Sequence, residues 1–178
     1  MEPQPVSQDR LIALLSTQDV QFGQYAEAEL VLPTPNAIYF LDTSNEKVLQ
    51  MRAQWRGIAE DDAEFQALIE QVAQCNATRT GPKAYLAPLE GAHRYGLMAE
   101  CDIVATQGLS QEQLMNFIET SMGMIMSFLM DVEAAIPDLV TWGGGAGTET
   151  VEGCMAENEP IRMVPDLGDD DHDVTKVW

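Results

Sequence analysis

The stretch from Ser110 to Pro137 constrains the fold more than any other part of the sequence. Ser110 with Gln113 three residues on forms a capping box, and Leu109 and Leu114 on either side of the cap supply the matching hydrophobic staple. The spacing predicts a helix whose start is fixed at Ser110 and whose end is forced by Pro137. Leu114, Phe117, Ile118, Ile125, Phe128, Leu129, Val132 and Ile136 recur along it, and Met115, Met122, Met124, Met126 and Met130 fill most of the remaining positions. Between residues 122 and 130 the helix is apolar nearly all round. It must therefore be sandwiched in a core or covered at a subunit interface, because an exposed side would be a large adhesive patch.

Something has to pack against that helix, and the preceding sequence offers strands. Leu49, Met51, Ala53 and Trp55 alternate with Gln50, Arg52, Gln54 and Arg56, a period of two that predicts a half-buried strand over Lys47–Arg56, closed by Gly57. A second long strand is expected over Arg94–Ala105, where Tyr95, Leu97, Ala99, Cys101 and Ile103 face one side and Met98, Glu100, Asp102 and Val104 the other. Shorter strands are expected at Ala28–Leu32, at Ala37–Leu41 and at Ala84–Leu89, the last with Pro88 marking an edge. Two amphipathic helices complete the set. One is short, around Leu11, Ile12, Leu14 and Leu15; the other starts after Glu60-Asp61-Asp62 and carries Phe65, Leu68, Ile69 and Val72 to about Cys75.

The resulting order, α-βββ-α-ββ-α, predicts an α+β fold: an antiparallel sheet with flanking helices. After Pro137 the composition changes to Gly143-Gly144-Gly145-Ala146-Gly147 and then to an Asp169–Asp173 run. The expected organisation is one domain over 1–137 and an acidic, Gly-rich, disordered tail over 138–178.

Charge limits what such a domain can bind. The 178 residues carry nine Lys and Arg against 29 Asp and Glu, a formal net charge of −20. A phosphate-neutralising basic face and attraction to anionic lipid are both excluded as expectations, so neither nucleic acid nor membrane is an expected partner. Met1–Gln8 has no charged-then-apolar secretory character, and the longest apolar run, Met122–Met130, is far shorter than a bilayer span; a cytoplasmic location is expected. Ten acids and two bases fall in 138–178, so most of the charge belongs to the domain itself. The charge reads as solubility for a domain with one very apolar helix.

No catalytic, metal or cofactor set assembles from the sequence. Cys75, Cys101 and Cys154 lack ligand spacing, and Cys75 and Cys101 fall on faces expected to be buried. His93 sits in an expected hairpin turn and His172 in the tail. The glycine cluster lacks the Lys-Ser/Thr of a phosphate loop, and the aspartate run lacks the Gly and bidentate Glu of a calcium loop. The candidates are for partner binding. Arg52 and Arg56 share a polar strand face; the plain expectation is cross-strand ion pairs with Glu100 and Asp102, and the sharper one an arginine pair that receives a carboxylate or phosphate. Trp55 and Tyr85 are either core or recognition residues, with core the plainer expectation. Met122, Met126 and Met130 are either core and dimer seam or an adaptable client surface.

Short motifs in order give a family likeness. Tyr39-Phe40-Leu41-Asp42, Gln54-Trp55-Arg56-Gly57, Pro82-Lys83-Ala84-Tyr85, Ala99-Glu100, Gly108 to Leu114 and Ala135-Ile136-Pro137 together resemble the YbjN family of bacterial sensory transduction regulators, over roughly residues 7 to 137. The sequence departs from the family where members often carry Trp-Asn and here stands Cys75-Asn76, and where an aromatic gives way to Gly81. The resemblance implies a fold like the type III secretion chaperones, small acidic proteins that commonly dimerise and hold a client segment. It brings no catalytic residues. The expectation is a non-enzymatic protein-binding module, a regulator or chaperone-like protein, homodimeric through the third helix, with its protein client unidentified. The alternative is an acidic decoy that competes with nucleic acid for a basic protein.

Overall fold

The computed structural model describes residues 2–142 apart from Asp19 and Ala92. The elements run α1 (Gln8–Leu15), β1 (Gly23–Ala26), β2 (Glu29–Pro33), β3 (Ala37–Asp42), β4 (Val48–Ala59), α2 (Asp62–Thr78), β5 (Lys83–Pro88), β6 (Tyr95–Val104) and α3 (Gln111–Ala135), followed by a 3-10 turn at Pro137–Leu139. The six strands form one antiparallel sheet in the order β1-β2-β3-β4-β6-β5. The α+β class is as expected, with one more strand than the sequence suggested.

The helices start where their caps dictate. The Ser110 hydroxyl accepts from Gln113 N–H while the Gln113 side chain accepts from Ser110 N–H, so the capping box is complete, and such a cap is worth about 1 kcal/mol. Asp61 caps α2 by accepting from Glu64 N–H, and Ser7 caps α1 by accepting from Arg10 N–H. Side-chain alternation then assigns the faces of the sheet. Tyr39 and Leu41, Leu49 to Trp55 at every second residue, and Leu97 and Ala99 share one buried cluster with Leu11 of α1, Leu68 of α2 and Ile125, Phe128 and Leu129 of α3. All three helices therefore pack on one face. Among the described residues none covers the other, so the domain has two layers.

Strand β4 differs most from its expected form. It does not stop at Gly57 but continues to Ala59, with a register shift against β6 between Gln54 and Ile58. The cause is local: the Trp55 ring lies back over Gly57, and a Cβ there would sit 2.1 Å from the ring. Only glycine lets the strand run beneath its own tryptophan.

The chain stays packed beyond the expected domain end at 137. Leu139 is buried, Val140 and Trp142 pack against the core, and Trp142 meets Trp55 edge to face at 5.3 Å between ring centres. The expected acidic tail, with the glycine cluster, Cys154, the aspartate run and His172, otherwise lies outside the described residues. Among the described residues no helix is long and apolar enough to cross a membrane.

Candidate functional site

The sheet face away from the helices collects most of the polar candidates, and the strand register lays them out in rows. One row runs Lys83, Glu100, Arg52, Phe40, Val31 across β5, β6, β4, β3 and β2. The next runs Tyr85, Met98, Gln54, Ile38, Pro33. Phe40, Ile38 and Met98 are buried yet stand outside the helix-side cluster, so they form a separate apolar floor.

Arg52 covers part of that floor. Its guanidinium lies 5.0 Å from the centre of the Phe40 ring, and Tyr25, 47% exposed, meets the same ring edge-on at 5.6 Å. Arg52 is directly opposite Glu100, as the alternation implied, but the two are not partners. Arg52 Nη2 donates to Glu29 Oε1 at 2.5 Å, and Glu100 accepts from Lys83 Nζ at 2.7 Å. The expected Arg52–Glu100 pair is thus replaced by two pairs directed away from each other, one from β4 across β3 to Glu29 on β2 and one from β6 to Lys83 on the adjacent β5. Asp102 accepts from the Gln50 amide at 2.9 Å and forms no ion pair with an arginine among the described residues. Arg52 Nε is buried and has no hydrogen-bond partner.

Arg56, two residues past Gln54 along the strand, turns its guanidinium to Thr34 O through Nε and Nη2 at 3.2 and 3.1 Å. It braces the turn between β2 and β3, so the two arginines do not form a shared anion site. Tyr85 is half-buried with Lys83 5.4 Å from its ring centre, and burial, then the charge of Glu100 and a hydrogen bond to it, push its phenol up to about 12. The same carboxylate, chiefly through its hydrogen bond, raises Lys83.

Trp55 is 0% exposed and belongs to the core, not to a recognition patch. Its Nε1 donates to Glu133 Oε1 on α3 at 3.2 Å, and Asn36 Nδ2 donates to the same oxygen at 2.8 Å. The methionine candidates lie on the opposite side of the molecule from Arg52 and Tyr85. Met122 is half-buried, while Met126 and Met130 are 49% and 61% exposed on the outer face of α3. Gly123 leaves open space beside them, and an Arg79–Asp131 ion pair flanks them, with Arg79 also over Phe128. The candidates thus divide between an open sheet face and a helix face.

Cys75 is buried as expected and Cys101 is half-buried; burial raises both thiols. Sequence reasoning missed Asn76. Its carboxamide accepts from Ala84 N–H at 2.9 Å and donates to Ala84 O at 2.8 Å, occupying the outer edge of β5 as a neighbouring strand would. Its sequence signals are a polar residue at a helix end and its place in the Cys75-Asn76 pair, neither of which shows that it bonds β5.

A two-layer α+β domain with one antiparallel face that no described helix covers, and a capped edge strand, is the class these features define. The chain belongs to the YbjN family, described as "putative bacterial sensory transduction regulator", which it matches over residues 7–134. Among solved structures it is similar to the crystal structure of YbjN from E. coli, described as "a putative transcription regulator", at 18% identity and TM-score 0.62, covering 74% of this chain and 96% of that one. An uncharacterised protein from Methanothermobacter thermautotrophicus is similar at 13% identity and TM-score 0.46, over 72% of this chain and 98% of the other. No curated protein matches.

Proposed function

We propose that the protein is a non-enzymatic binding module, regulatory or chaperone-like, that holds a segment of a protein client on the open sheet face. The observation that carries this reading is the set of partly or well exposed side chains Arg52, Tyr85 and Tyr25, seated over the buried Phe40, Ile38 and Met98 on a face that no described helix covers. Aromatic side chains and arginine are the residue types that contribute most per contact at protein interfaces. The family's description as a sensory transduction regulator is compatible with such a role.

Pairing of two copies through α3 completes the reading. Met126 and Met130 are exposed apolar side chains in the segment Thr120–Met130, which carries no charged residue in a protein of net charge −20. That window is where two like-charged copies repel least. The test replaces Arg52 by Gln, checks folding by thermal denaturation, and measures client capture. Capture lost with folding intact supports the reading, and unchanged capture removes the face from it.

The net charge supports a second reading, an acidic decoy for a basic protein. Salt separates the two. An affinity that collapses between low and physiological ionic strength favours the decoy, and weak salt dependence favours apolar capture.

A further inference from the structure

Methionine supplies a graded row on the outer face of α3. Met122, Met126 and Met130 stand at i, i+4 and i+8, so they lie one above another on one side of the helix. Met122 is half-buried, Met126 is 49% exposed and Met130 61%. Gly123 leaves room beside them, since a Cβ there would meet nothing within 4 Å. The methionines of the sheet, Met51 on β4 and Met98 on β6, are 0% and 1% exposed. One chain thus holds the same thioether at two extremes of access, and the accessible pair lies in the uncharged stretch Thr120–Met130.

A thioether within reach of solvent meets peroxides, and one enclosed by packing does not. The sulfur lone pair attacks one oxygen of hydrogen peroxide, the O–O bond breaks, and the proton on the transferred oxygen leaves with the departing hydroxide as water. Sulfur is oxidised by two electrons and the peroxide is reduced. The product is a sulfoxide, polar and chiral where the thioether was apolar, and methionine sulfoxide reductases reverse it. The described cysteines compete less well, because thiolate is the reactive form and burial raises both Cys75 and Cys101.

We infer that Met126 and Met130 form an oxidant-responsive modification site, converted to sulfoxides by peroxides ahead of the other described methionines, and that the conversion releases two copies paired through α3. The second half rests on the pairing proposed above. In a paired state each copy would bring two sulfoxides into a seam held by apolar contact, and each S=O group would have to give up water to stay there. The fold of a single copy is spared, because the core side of α3 is built from Ile125, Phe128, Leu129 and Val132.

The experiment treats the dilute full chain with graded hydrogen peroxide, then with a thiol reductant, which reopens disulfides and leaves sulfoxides in place, and maps the peptides by mass spectrometry. Met126 and Met130 should take up oxygen roughly tenfold or more faster than Met51 and Met98. Sedimentation velocity at equal, higher concentration should show pairs before treatment and single copies after it, with circular dichroism unchanged. Methionine sulfoxide reductases A and B together should restore the pairs. Met126→Leu with Met130→Leu, at a concentration where it is paired, should stay paired through the same treatment. Uptake at Met126 and Met130 no faster than at Met51 and Met98 would overturn the site. A treated wild type that stays paired, or a leucine variant that comes apart, would overturn the switch. A wild type that sediments as single copies before treatment would remove the pairing reading and the switch with it, and the peptide map would still decide the site.

Discussion

Trp55 and Glu133 join the sheet to the long helix: the indole N–H donates to the carboxylate at 3.2 Å, and Asn36 donates to the same oxygen. One helix residue thereby ties down both β4 and the turn that leads into β3. Glu133→Ala should destabilise the fold by about 1–3 kcal/mol, because it leaves the buried indole N–H without an acceptor. Urea denaturation followed by tryptophan fluorescence measures the loss. A change within experimental error would show that the contact contributes nothing net.

Gly57 has to remain glycine because the Trp55 ring occupies the place of its side chain. Gly57→Ala should cost about 2–4 kcal/mol, since either the ring leaves its core position or the strand shifts. The double change with Trp55→Leu should cost less than the sum of the two single changes. Simple additivity would contradict the steric account.

Asn76→Ala should uncover both main-chain groups of Ala84. The expected effect is a loss of about 1–2 kcal/mol and concentration-dependent association through the freed β5 edge. Light scattering of wild type and variant side by side reads the second effect. Equal scattering would mean that α2 shields the edge without its amide.

Burial, followed by the charge of Glu133, pushes the Tyr39 phenol up to about 12 from 10.0. A raised tyrosine pKa favours the neutral form in the folded protein, so the unfolded chain ionises first as pH rises. Stability contributed by this group is complete below pH 10 and is lost between pH 10 and about 12, by about 2–3 kcal/mol. Tyr39→Phe should flatten that part of the stability curve, measured by denaturant midpoints across the range. Tyr85 titrates in the same window, so part of the slope should survive.

The long alternating strands and the capping box made most of the architecture readable from sequence, because period and cap chemistry are local properties. The missed strand, Gly23-Gln24-Tyr25-Ala26, is four residues with mostly exposed side chains and no alternation to detect. The extension of β4 past Gly57 escaped because a glycine after a strand ordinarily ends it, and only the position of the Trp55 ring shows why this one does not. Arg52 and Glu100 were correctly set on one face, but their partners depend on the order of the strands across the sheet. Strand order places Glu29 and Lys83 within reach, and no sequence pattern encodes that order.

The methionine face makes its own prediction. Met126→Glu with Met130→Glu should leave the fold intact, since both side chains are largely exposed, and should turn a two-copy assembly into single copies. Sedimentation velocity of the two proteins at equal concentration is the measurement. A wild type that already sediments as one copy would rule out pairing through α3.

Binding of a client segment on the open sheet face is tested most directly by a photo-crosslinking residue placed at Tyr85, with a matched one at Met126 as the comparison. The account predicts adducts with a different polypeptide at position 85, lost when Arg52→Glu is added, and adducts with a second copy of the chain at position 126. Client adducts at position 126 with none at position 85, or adducts at 85 that persist with Arg52→Glu, would contradict it.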